Sequence, residues 1–137
     1  YAEHIALVKG NVTTPEPVLV RMHALNVLDD VLGSKARGRG GTLQASLQMI
    51  ARAGRGVAVL IREPTPTALS DRVRRLMSQG SERVPALRDY GIGAQILLDL
   101  GVRDMILLSN TRRTIVGLEG YGLTVVEQRP IQGIGGN

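Results

Sequence analysis

Val57-Ala58-Val59-Leu60-Ile61 is an unbroken apolar run bounded by glycine on one side and by Arg62, Glu63 and Pro64 on the other. A strand with one wet face alternates apolar and polar residues. A run without alternation predicts a strand covered on both faces, the habit of parallel sheets. Just before it, Leu43, Leu47, Ile50 and Ala51 recur at helical spacing. Thr42 is the expected N-cap of that helix and Gly54 its stop. After the run, Pro64 and Pro66 break the chain. Leu69, Val73, Leu76 and Met77 then share one face of a second expected helix. A loop from Gly80 to Pro85 leads to a third helix, marked by Ile92, Ile96 and Leu100 and closed by Gly101. Met105 to Leu108 is a strand, Ile115 to Tyr121 a short helix, Leu123 to Glu127 the last strand, and Gly133 to Asn137 a frayed tail.

Toward the N-terminus, Ile5 to Lys9 and Val18 to Met22 read as strands joined by the turn-rich segment Gly10 to Pro17. Their closeness in sequence predicts an antiparallel pair. From residue 42 onward helices and strands alternate. The expected fold is therefore α/β, a three-layer arrangement in which helices flank a mixed β-sheet, as one domain over residues 1–137. The chain begins at Tyr1 rather than Met and runs almost at once into a strand, so a piece of a longer chain is expected.

Composition narrows the chemistry. The chain has 137 residues, 43% apolar and 21% charged, an ordinary globular balance. With no Phe or Trp and three Tyr, the core must be aliphatic. No apolar run is long enough for a membrane span, and a cytoplasmic location is the default expectation. Cysteine is absent, which removes disulfides, thiolate catalysis and every Cys-based zinc site. His4 and His23 alone are a poor metal site and read as ordinary surface or sheet residues. The net charge of +5 fits either a polyphosphate or nucleic-acid partner or an arginine-rich proteome. The basic, glycine-rich stretch Gly33 to Gly41, with Lys35, Arg37 and Arg39, could touch phosphates, but few aromatics are present for stacking, so nucleic acid is not favoured. Asp29, Asp30, Glu63 and His23 have no spacing that argues for a carboxylate–imidazole site.

Three stretches carry a resemblance. Leu87-Arg88-Asp89-Tyr90-Gly91-Ile92-Gly93-Ala94-Gln95-Ile96-Leu97, followed by Asp99-Leu100-Gly101-Val102-Arg103, closely matches a segment of GTP cyclohydrolase II, the zinc enzyme that opens riboflavin biosynthesis. Gly117 to Leu123 with Val125-Val126-Glu127 is similar to the family's C-terminal motif, and His4 to Gly10 to its first strand. Arg21-Met22-His23 and Gly54-Arg55-Gly56-Val57 fit between them in order. The resemblance covers nearly the whole chain and implies the family's fold, a zinc cofactor, a GTP substrate and a dimer. It also implies fusion behind 3,4-dihydroxy-2-butanone 4-phosphate synthase.

The departures concern chemistry. The three positions matching the family's zinc cysteines hold Asn26, Arg37 and Arg39, so no metal is expected here. Its catalytic tyrosine falls on Met77 and its general-base aspartate on Ala86, while the neighbouring Arg88 survives. Its phosphate loop reads Arg62-Glu63-Pro64-Thr65-Pro66-Thr67-Ala68-Leu69, with only Arg62 kept and the glycines gone. Between Gly80 and Leu87 the family has about a dozen more residues. Its triphosphate segment reads Ser109-Asn110-Thr111-Arg112-Arg113-Thr114, which keeps a hydroxyl and two positive charges. The resemblance thus implies a GTP cyclohydrolase II-like domain without catalysis, kept for dimerisation or for regulation of a fused synthase. The alternatives are a sensor that holds GTP or another phosphate ligand through Arg62, Arg88, Ser109, Arg112 and Arg113, and nonspecific nucleic-acid contact.

Overall fold

The computed structural model describes residues 3–25, 41–62, 70, 73–74, 87–110, 118 and 120–131; the side chains of residues 87–89 lie outside that description. Among the described residues the elements are β1 (Ile5–Lys9), β2 (Val18–Ala24), α1 (Thr42–Ala53), β3 (Gly56–Ile61), α2 (Leu87–Asp99), β4 (Asp104–Leu108) and β5 (Thr124–Arg129). The strands form one mixed sheet of order β1-β3-β2-β4-β5. β3, β2, β4 and β5 are parallel, and β1 runs antiparallel along β3.

The expected β1–β2 pair does not form. β3 lies between them, with Leu7 opposite Ala58 on one side and Arg21 opposite the same Ala58 on the other. All six residues of β3 are buried, so it needs a partner at each edge as well as cover on each face. The Gly10–Pro17 connection is long enough to step over it. Arg55, at the entrance to β3, holds that connection down. Its Nε donates to the Asn11 carbonyl (2.7 Å), and its Nη atoms donate to the Pro17 (3.3 Å) and Glu16 (2.9 Å) carbonyls and to Thr14 Oγ1 (2.6 Å).

Strand alternation divides the interior in two. Val18, Val20, Val57, Val59, Met105 and Leu107 meet Tyr90, Ala94 and Leu97 of α2. Leu19, Ala58, Leu60 and Leu108 meet Leu43, Ala45 and Ile50 of α1. The chain moves one way from β2 to β3 and the other way from β3 to β4. Right-handed crossovers in opposite directions put their helices on opposite faces, which gives the three layers.

The helices differ in detail from their expected reading. α1 is capped by Gly41 at φ 85°, not by Thr42, which is buried in the first turn. Its inner face is Leu43, Ser46 and Ile50, and Ala51 is exposed. Gly54 ends it as expected, with φ 81° and its N–H directed to Ile50 and Ala51. α2 buries Tyr90, Ala94 and Leu97, whereas Ile92 is exposed. The sheet sets that face. A Cβ at Gly93 would land on the Met22 thioether, so the glycine side of α2 is the side that approaches the strands. Of the second expected helix, Ser70, Val73 and Arg74 are helical, and Val73 is exposed. Leu69, Leu76 and Met77 lie outside the described residues, as does most of the Ile115–Tyr121 helix, of which Leu118 is helical and buried.

Candidate functional site at the carboxyl ends of the strands

In an open α/β sheet, ligands bind beyond the carboxyl ends of the strands, where neighbouring connections leave toward opposite faces. Here those neighbours are β2 and β4. The chain after β2 leads to α1 on one face. The chain after β4 leads to Leu118, buried with α2 on the other. The β2–β4 ladder stops at Val20–Leu107, although β2 continues to Ala24. Arg21 bridges the parting strands: its Nη1 donates to the Leu108 carbonyl (3.2 Å), and its Nη2 lies 3.3 Å from His23 Nδ1. A guanidinium has only donors, so His23 Nδ1 is the acceptor.

Three of the residues singled out in the sequence, Arg62, Ser109 and the backbone of Arg88, lie at this end. Arg62 directly follows β3, with an exposed side chain, and its backbone N–H is accepted by His4 Nδ1 (3.0 Å). Ser109 directly follows β4 and is buried. The end of β5 fixes it. Its N–H donates to the Arg129 carbonyl (3.1 Å), and its own carbonyl accepts from Gln128 Nε2 (2.9 Å). Asn110 Oδ1 accepts the Ile131 N–H (3.0 Å). Arg88 sits in the first turn of α2, and because that helix runs back along the sheet toward β4, its first turn is at the same end. The Arg88 side chain and the whole of Arg112, Arg113, Asn26, Lys35, Arg37, Arg39, Met77 and Ala86 lie outside the described residues, as do Asp29, Asp30 and Glu63.

Sequence reasoning missed Arg21, Asn110, Gln128 and Arg55 as positioning residues. The Leu108, Ile131 and Ser109 partners of Arg21, Asn110 and Gln128 are 87, 21 and 19 residues away, and those of Arg55 about 40, so no local pattern marks these contacts. Among the described residues, no group of three or more His, Cys, Asp or Glu side chains could hold a metal ion. No helix of the described residues is long and apolar enough to cross a membrane.

Comparison with known proteins adds an independent line. Residues 1–130 match the family model described as GTP cyclohydrolase II. Riboflavin biosynthesis protein RibBA of Bacillus cereus is 46% identical over 142 residues, covering 95% of this chain and 36% of the relative. The protein of the same name from Bacillus cytotoxicus gives the same figures. That of Chlorobium phaeovibrioides is 45% identical over 141 residues, 94% of this chain and 34% of its own. The chain thus spans about a third of the length of the curated relatives it matches.

Proposed function

This chain belongs to the GTP cyclohydrolase II family, and from that premise we propose that it is a domain of riboflavin biosynthesis that opens no purine ring and serves the assembly or regulation of a fused 3,4-dihydroxy-2-butanone 4-phosphate synthase. The observation that carries this reading is the donor set. Zinc needs thiolates, imidazoles or carboxylates within bonding reach. The chain has no cysteine, and the aligned positions offer Asn26, Arg37 and Arg39. A guanidinium stays protonated and repels a cation. Both imidazoles are already engaged through Nδ1, His4 with the Arg62 N–H and His23 with Arg21. The residues do not fit the metal, so no catalytic step is assigned through it. The general-base and tyrosine positions hold Ala86 and Met77, neither of which moves a proton.

Two measurements test the reading. Incubating the domain with GTP, magnesium and added zinc is expected to yield no ring-opened product above the uncatalysed background, and sustained turnover would overturn the proposal. Deleting the domain from its parent chain is expected to change the parent's oligomeric state or its synthase rate. No change in either would remove the assembly and regulation role.

A second reading rests on the carboxyl-end cluster. Arg62, the first turn of α2 with Arg88, and the buried Ser109 share the end of the sheet where α/β folds take ligands. Arginines there suit a phosphate-bearing ligand held without turnover. Calorimetric titration with GTP and magnesium separates the two readings: saturable binding without product supports a sensor, and no heat of binding leaves a scaffold.

A further inference from the structure

The carboxyl end of β3 is held from both sides. On the β2 side the Leu25 N–H donates to the Ile61 carbonyl (2.9 Å). On the β1 side the ladder ends with Ile5 opposite Leu60. Beyond that ladder the Arg62 N–H meets a side chain instead of a strand, donating to His4 Nδ1 (3.0 Å). His4 is half-buried, and the Arg62 side chain is exposed. Pro64 and Pro66 follow shortly and have no N–H to give.

A ring nitrogen accepts a hydrogen bond only while it carries no proton. The His4 that makes this bond is therefore neutral, with its hydrogen on Nε2. We propose that His4 is a pH-operated latch on the carboxyl end of β3, closed while the imidazole is neutral and opened when it takes up a proton. A proton on Nδ1 turns the acceptor into a donor, so two N–H groups then face each other across the former bond. The same proton sets a positive charge beside Arg62. Both changes push away from the closed arrangement. Imidazoles as a class change charge between about pH 5 and 8, so the latch opens as the pH falls through that range.

Few titratable or charged groups surround the ring. β1 leads back to Glu3, and β3 leads into Arg62 itself. α2 adds Tyr90 to the core layer that holds Ile61. β2, on the far side of β3, carries His23 beside Leu60 and ends in the apolar Ala24 and Leu25. Among the described residues none of these side chains bonds the His4 ring, so the Arg62 N–H is the contact that protonation removes. The latch thus sets when the backbone that carries the Arg62 guanidinium is tied to the sheet, with or without a ligand at that end.

Amide exchange and ring proton signals of the isotopically labelled chain test it by nuclear magnetic resonance. The protection of the Arg62 N–H, relative to an unstructured chain at the same pH, is expected to fall roughly tenfold from about pH 8 to about pH 5, in step with proton uptake by the His4 ring. The Leu25 N–H is expected to stay protected. His4→Asn places an acceptor oxygen at the same number of bonds from the backbone as Nδ1, and it does not titrate. This variant is expected to keep Arg62 protected at both ends of the range, and His4→Leu to leave it unprotected at both. Arg62 protection that persists while His4 takes up its proton would overturn the latch. So would a His4 ring that stays neutral down to about pH 5, a His4→Asn variant that still loses protection on acidification, or a simultaneous loss at Leu25, which would mean general fraying of the strand end.

Discussion

The amino end and the carboxyl end of the parallel strands have been treated differently in this chain. At the amino end the backbone is tied down closely. Arg55 holds the β1–β2 connection through four hydrogen bonds. Gly10, at φ 74°, passes so near Gly54 that a Cβ would stand 2.6 Å from the Gly54 carbonyl oxygen. A Cβ at Gly101 would stand 2.9 Å from Thr13. At the carboxyl end, Arg62 leaves β3 with an exposed side chain, and among the described residues only its backbone N–H is recorded in a contact, to His4 Nδ1. The residues that shape the frame there, Arg21, Gln128 and Asn110, are nonetheless engaged with strand ends across the sheet. The contrast separates residues that tie distant backbone segments together from exposed side chains that leave the frame unchanged. A core position that changes costs stability at once, whereas an exposed catalytic position can change at little structural cost.

Substitutions can break or sharpen this contrast, beginning with the largest effect. Leu97→Ala, in the fully buried face of α2, is expected to cost about 3 kcal/mol in urea unfolding through lost burial and a residual cavity. Gly10→Ala forces a side chain into a left-handed backbone and toward a carbonyl oxygen, for about 2 kcal/mol by the same measurement. Arg55→Ala frees the Asn11–Pro17 segment and is expected to cost about 1.5 kcal/mol, with faster amide exchange across that connection. Arg62→Ala, with its exposed side chain at the carboxyl end, is expected to stay within about 0.5 kcal/mol of the unaltered chain in thermal unfolding. A cost at Arg62 matching that at Arg55 would break the contrast, because the carboxyl end would then carry structural ties of its own.

Much of the architecture was legible early. The run from Val57 to Ile61 announced a strand covered on both faces, and every residue of β3 is buried. Alternation of helix and strand after residue 42 pointed to a parallel sheet, and β2, β3, β4 and β5 are parallel. Gly54 and Gly101 stop their helices at positive φ as expected. The candidate site was legible as residue types, but its assembly was not. Nothing near Arg62 in the chain says that it shares one end of the sheet with Ser109 and the first turn of α2. The engagement of His4 with the Arg62 N–H, 58 residues away, is equally invisible in the sequence.

By itself the sequence determined the class of the fold, the periodicity of its elements and the lack of thiolate ligands. These are local or compositional properties, set by side-chain shape and polarity along the chain. Tertiary structure decided which strands are neighbours, which side of each helix turns inward and where Ser109 and Arg62 come to rest. β1 pairs with β3 rather than β2 because a wholly buried strand must satisfy backbone hydrogen bonds at both edges. α2 turns Tyr90, Ala94 and Leu97 inward rather than Ile92 because Gly93 lets that side approach Met22. Both outcomes depend on groups far apart in the chain, whose meeting no local pattern encodes.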